Sequence, residues 1–181
     1  MLPHIKLSEG IPGIRSGFKF RPEIAQPMQD LANILMRNNN TDSLSNEERE
    51  IIATFVSKLN GCYFCQASHA AIAAHLNNGD YSLINAVCSN YQTAPISKKL
   101  KALLTIAGKV QISGKEVTSD DINAAKQEGA TDLDIHDTVL IAAAFSMFNR
   151  YVDGLAMFTP TDPEFYDTRG KQTAIHGYQS S

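Results

Sequence analysis

A chain of 181 residues with 43% apolar side chains and a net charge of −3 is long enough for one domain with a sizeable core, and two separate cores would be tight. Its 16 Lys and Arg are interspersed among 19 Asp and Glu, so no basic face points to nucleic acid and no polybasic run to an anionic membrane. No apolar stretch approaches the roughly 20 residues that span a bilayer, and Met1-Leu2-Pro3-His4-Ile5-Lys6 lacks a secretory apolar core, so the expected address is the cytoplasm.

In chain order, residues 1–20 read as an irregular segment. Pro22 opens a helix carrying Ile24, Met28, Leu31 and Leu35, which stops at Asn38-Asn39-Asn40. Ser45-Asn46-Glu47-Glu48 is a capping box, and the helix behind it carries the stripe Ile51, Ile52, Phe55, Val56 and Leu59 up to Asn60-Gly61. A helix then runs from Cys62 through Ala70, Ile72, Ala73 and Leu76 to Asn77-Asn78-Gly79. Asp80 is placed to cap a short helix with Leu83, Val87 and Cys88, and Ser97 caps one with Leu100, Leu103, Leu104, Ala107 and Val110. Thr118-Ser119-Asp120-Asp121 opens another, ended by Gly129. Thr131 starts the longest, Asp132 to about Met157, whose centre from Val139 to Phe145 is apolar on every side. Such a helix is central or lies in an interface. Residues 159–181 read as an irregular tail whose Phe165, Tyr166 and Tyr178 are too apolar for a solvated linker. No alternating strand pattern appears, so the expectation is all-α: a helical domain over 21–158 with irregular segments on either side.

One helix holds the chemistry. Positions 62, 65 and 69 are i, i+3 and i+7, so Cys62, Cys65 and His69 share a face that offers a nucleophile, a resolving thiol and a base. Glu50 sits on the preceding helix. Twelve residues of unbroken helix would separate it from Cys62 by roughly 18 Å, so the chain must fold back at Asn60-Gly61, and Glu50 then meets His69. A relay from Glu50 to His69 to Cys65 follows, and Cys62, at the positive end of its helix, is expected to favour thiolate. Three cysteines, two of them paired in C-x2-C, suit a working dithiol in a reducing compartment better than a secreted disulfide framework. Rival readings are two buried core thiols, or a zinc site using Cys62, Cys65, His69 and Glu50. His75 falls about 120° from the redox face. Cys88 reads as a core residue, His136 and His176 as surface groups, and Asn149 and Arg150 as polar ends of an apolar helix.

The spacing E-x11-C-x2-C-x3-H, as Glu50, Cys62, Cys65 and His69, resembles the signature of the alkylhydroperoxidase D-like (AhpD-like) group of the carboxymuconolactone decarboxylase superfamily. The stretch from Ala142 to Leu155 is similar to the C-terminal helix of its peroxidase-related branch. The resemblance implies an oligomeric helical bundle, a trimer or hexamer, acting as a thiol-dependent peroxidase without a cofactor. It implies that Cys65 attacks the peroxide, Cys62 resolves it as a disulfide, and His69 and Glu50 relay protons, with a lipoyl or thioredoxin-type dithiol as reductant. It also makes Asn149 or Arg150 a candidate supporting residue. The best-studied members carry a histidine before the second cysteine, where this chain has Phe64. The alternatives are a decarboxylase or lactone-processing enzyme like the superfamily's namesake, and a non-catalytic helical oligomer whose dithiol senses stress.

Overall fold

The computed structural model describes residues 2–37 and 43–178, all of them helix, turn or loop. The expected stop at Asn38-Asn39-Asn40 lies outside the described residues. The helices are α1 (Ile14–Phe20), α2 (Ala25–Met36, entered through a 3-10 turn at Pro22–Ile24), α3 (Asn46–Leu59) and α4 (Tyr63–Leu76). They continue with α5 (Ser82–Asn90), α6 (Lys98–Ile112), α7 (Ser119–Gln127), α8 (Asp132–Gly154) and α9 (Pro163–His176). None is long and apolar enough to cross a membrane.

The caps form as the sequence requires. Reciprocal capping boxes open α3 at Ser45 and Glu48, α7 at Thr118 and Asp121, and α8 at Thr131 and Asp134, while the Ser97 hydroxyl accepts from the Leu100 N–H. Each box satisfies backbone N–H groups that the first turn leaves without partners. At the far end of α3, Gly61 adopts φ +74, and the chain reverses so that α3 and α4 pack antiparallel as the most extensive helix pair. The core fills with Ile51, Ile52 and Val56 from α3, Leu103, Leu104 and Ile106 from α6, and Ile141 and Phe145 from α8. Leu59, expected on the buried stripe of α3, is 45% exposed, because the last turn of α3 runs past the core.

Two expectations are corrected. The first twenty residues are not irregular throughout: α1 packs against α8, and loop backbone ties His4 N–H to Leu155 O at 3.0 Å and Gly13 N–H to Phe158 O at 2.8 Å. Nor is the tail irregular. Pro163 sits in the first turn of α9 and the Asp162 side chain accepts from the Glu164 N–H, an arrangement that pre-sets φ and satisfies an orphan donor. Helix α9 lies along α4, so closely at one point that a Cβ added to Gly170 would stand 2.5 Å from the Ala71 Cβ.

Candidate functional site

The hairpin of α3 and α4 brings Glu50 and His69 together. Glu50 lies in the second turn of α3 with its side chain fully buried, and its Oε2 accepts from His69 Nδ1 at 2.7 Å. A buried carboxylate needs donors for its other lone pairs. They come from two residues that sequence reasoning had not connected to the site. Arg37 Nη1, just beyond α2, donates to Oε1 at 3.0 Å, and the Tyr178 hydroxyl, just beyond α9, donates to the same oxygen at 2.6 Å. The Tyr178 oxygen is also 3.0 Å from His69 Nδ1, its ring stacks on the imidazole, and Arg37 lies over the ring at 5.2 Å from the centroid. Burial, and after it the Glu50 charge, pushes the Tyr178 hydroxyl well above the usual tyrosine range, so it stays a donor.

Tyr178 is held there by its own backbone. Its N–H donates to Asn33 Oδ1 at 2.7 Å and its carbonyl accepts from Asn33 Nδ2 at 3.0 Å, a two-point clamp from α2. The His69 ring is packed edge-on by Phe145 of α8 at 4.5 Å. With Nδ1–H committed to Glu50, Nε2 is the ring nitrogen with a lone pair for a proton.

The two cysteines are free thiols in different surroundings. Cys62 is not on the helix proper but is its N-cap, with φ −81 and ψ 92, and is completely buried; Cys65 is in the first turn and 6% exposed. Both belong to a small apolar cluster with Val152 and Met157, covered by Leu7 and Ile14 of the N-terminal segment. Hydrogen bonding with Cys65, then burial and the negative charge Cys65 can carry, push the Cys62 thiol far up, with Asp153 adding to the effect and the Cys65 backbone N–H outweighed. This runs against the expected thiolate at Cys62: a helix N-terminus favours an anion, but complete burial beside a second sulfur disfavours one.

A partly open cavity of about 160 Å3 completes the site. Cys65, Ser68 and His69 line it from α4, Phe145 and Phe148 from α8, and Tyr166 and Thr173 from α9, whereas Cys62 lies outside it. Phe64 packs here too, against Tyr166 at 6.0 Å between centroids and so near Gly13 that a Cβ there would fall 2.1 Å from the ring. Gly13 has φ +53, which suits glycine as well as the space does.

The remaining candidates fall as follows. Asn149 is buried and braces the hairpin turn, donating to Ser57 Oγ at 3.0 Å and accepting from Asn60 Nδ2 at 2.8 Å, while the Cys62 N–H is fixed by Ser57 O. Arg150 is exposed and bonds only within α8, to Ser146 O, among the described contacts. His75 is half-buried and ties α4 to α9 through Asp167 at 2.9 Å. His136 and His176 are exposed and Cys88 is half-buried. Among the described residues no group of three or more His, Cys, Asp or Glu is arranged to hold a metal ion.

This all-helical architecture is that of AhpD-like proteins. An uncharacterized peroxidase-related protein from Ralstonia eutropha JMP134 with the alkylhydroperoxidase AhpD core is 27% identical, with a TM-score of 0.76 over 89% of this chain and 82% of that one. An uncharacterized peroxidase-related protein from Silicibacter sp. TM1040 is 28% identical, with a TM-score of 0.76 over 88% and 81%. A protein of unknown function from Agrobacterium tumefaciens shares the fold at 20% identity, with a TM-score of 0.66 over 81% and 97%. Residues 22–80, which include Glu50, Cys62, Cys65 and His69, match the sequence model of the carboxymuconolactone decarboxylase family. No curated protein matches the chain. The chain is thus similar to the carboxymuconolactone decarboxylase family over residues 22–80 and to the AhpD core in its fold.

Proposed function

We propose that this protein is a cofactor-free thiol peroxidase that reduces organic hydroperoxides through Cys62 and Cys65. The observation that carries the reading is the buried Glu50 to His69 hydrogen bond beside an apolar cavity that Cys65 lines and Cys62 does not. In the proposed cycle His69, oriented by Glu50, takes the Cys65 proton at Nε2. The thiolate attacks a peroxide oxygen: an S–O bond forms, the O–O bond breaks, and the alkoxide leaves as an alcohol with the proton His69 held. Cys65 is then a sulfenic acid. Cys62 attacks it, the disulfide forms and water departs. A lipoyl or thioredoxin-type dithiol returns two electrons and two protons; the small exposure of Cys65, through the cavity, favours a slender donor. This chemistry suits a reducing compartment such as the cytoplasm.

Steady-state assays with a hydroperoxide and a dithiol donor are expected to give many turnovers per chain. One stoichiometric oxidation with no turnover for any donor would replace the peroxidase by a redox sensor. A decarboxylase or lactone-processing role leaves the paired thiols without a task. In Cys62→Ser, peroxide should leave a sulfenic acid on Cys65 that a dione reagent traps. An adduct on Cys62 in Cys65→Ser, with none in Cys62→Ser, would reverse the roles.

The protein is further proposed to be an obligate homo-oligomer, a trimer or hexamer. Leu133, Leu140 and Met147 of α8 are 43%, 39% and 46% exposed, and residues seven apart line one helix face. Sedimentation at micromolar concentration should show no stable monomer; a monomer of 19.8 kDa would end the claim.

A further inference from the structure

One side chain on the cavity-facing stripe of α4 has no part in the cycle above. That helix presents Phe64, Cys65, Ser68, His69 and Ile72 to the cavity, the spacing of a single helical face. Phe64 and Ile72 are apolar, and Cys65 and His69 are the reacting pair. Ser68 is the polar group left over, at the middle of the stripe. A serine or threonine inside a helix can turn its hydroxyl back to the carbonyl four residues before it. Thr54, Thr105 and Thr138, in α3, α6 and α8, do so at 2.8, 3.1 and 2.7 Å. Among the described residues the half-buried Ser68 has no such bond and no other hydrogen-bond partner. Nor is its oxygen sealed away, for the buried side-chain polar atom without a partner is Arg37 Nε, among the described residues. The Ser68 O–H is therefore open to the space that Cys65 and His69 share.

Resting on the peroxidase reading for its chemistry, we propose that Ser68 is a further catalytic residue, its hydroxyl donating to the oxygen that leaves when the peroxide bond breaks. A sulfur attacking the terminal oxygen from about 3–3.5 Å, with the O–O bond of ~1.5 Å in line, puts the leaving oxygen roughly 4.5–5 Å from the sulfur. Side chains three apart on a helix stand about 5–6 Å apart at Cβ, so that oxygen falls within hydrogen-bond reach of Ser68 while Cys65 attacks. In the step an S–O bond forms, the O–O bond breaks and its electron pair goes to the alkyl-bearing oxygen. Ser68 stabilises the charge developing there and keeps its own proton, and the proton held at His69 Nε2 completes the alcohol. Cys65 is left as the sulfenic acid. Phe145, Phe148 and Tyr166 wall the same cavity, and in such apolar surroundings a fixed donor to developing charge is worth more than in water.

The test reads the first oxidation alone. Reduced protein is mixed with peroxide in the absence of a donor, quenched at intervals, and its oxidation at Cys65 followed by mass. In Ser68→Ala the rate with cumene hydroperoxide should fall about tenfold, the lower range for a hydrogen bond to a charged group. Peracetic acid expels a carboxylate, which needs less help than an alkoxide, so its rate should fall by less than about threefold. Ser68→Thr, which keeps a hydroxyl, should recover most of the loss. Alkylation of Cys65 by iodoacetamide involves no leaving oxygen and should proceed at the parent rate in both variants. Alanine is the better helix former, and unchanged alkylation also shows that α4 and His69 are undisturbed. Ser68→Ala oxidised by cumene hydroperoxide as fast as the parent overturns the proposal and leaves the peroxidase intact. Equal slowing with both peroxides and with iodoacetamide overturns it too, since Ser68 would then act on the thiol and not on the leaving oxygen. A parent that is oxidised once without turnover, with the selective loss in Ser68→Ala, upholds Ser68 and removes the peroxidase. A parent whose Cys65 alkylates but is oxidised by no peroxide removes both.

Discussion

Glu50→Gln should lower the rate of reaction with peroxide about 10²-fold, within the usual range for a general base. The carboxylate is buried and accepts from His69 at 2.7 Å, Tyr178 at 2.6 Å and Arg37 at 3.0 Å. With the amide oxygen kept by Tyr178 and Arg37, the amide NH2 faces His69 Nδ1, which must then accept. The ring's proton moves to Nε2, the nitrogen that was to receive the sulfur's proton. A stability loss accompanies this, since Arg37 keeps a charge with no carboxylate beside it, so the rate is compared under conditions where circular dichroism shows both proteins folded. Slow oxidation should still join Cys62 to Cys65. Stopped-flow traces in which Glu50→Gln consumes peroxide as fast as the parent would remove proton relay from the mechanism.

Gly170→Ala should destabilise the protein, against the sign of helix propensity. Inside a helix, alanine is ordinarily better than glycine by up to about 1 kcal/mol. Here the new Cβ would stand 2.5 Å from the Ala71 Cβ and 2.8 Å from the Ala71 carbonyl carbon, and the second neighbour is backbone that cannot rotate away. Overpacking of this kind costs roughly 1–3 kcal/mol, a fall in Tm of several degrees for a domain of this size. Helix α9 supplies Tyr166, Arg169 and Thr173 to the cavity and leads directly to Tyr178, so Cys65 should also alkylate faster. Adding Ala71→Gly should recover part of the loss. A Gly170→Ala protein as stable as the parent, or more so, would mean that α9 is not seated on α4 in this way.

Much of the centre of the molecule was legible because its signals are local. The box at Ser45 and Glu48, the break at Asn60-Gly61 and the C-x2-C-x3-H spacing fix a hairpin, and a hairpin of equal arms brings residue 50 to residue 69. Arg37 and Tyr178 were not legible as partners of Glu50, because nothing near either residue records a contact across 13 or 128 positions. Helix α9 was missed for another reason. Its apolar residues do not recur with helical spacing, and Pro163 reads as loop, although an Asp before a Pro is also how a helix begins. The Cys62 thiol was misjudged because the helix end was visible in the sequence and the burial was not.

The brace behind Cys62 decides how the dithiol can move. Asn149, Ser57 and Asn60 are bonded in series, Gln111 of α6 adds a bond to Asn60 Oδ1 at 2.9 Å, and the Cys62 N–H hangs from Ser57 O. A turn wired to α6 and α8 at once is held in place, so in the proposed cycle the sulfurs would have to meet by side-chain rotation rather than by unwinding of a helix end. Little of the outer surface would then record whether the pair is oxidised. A partner protein would find the two redox states nearly indistinguishable, and a signalling device needs them to differ.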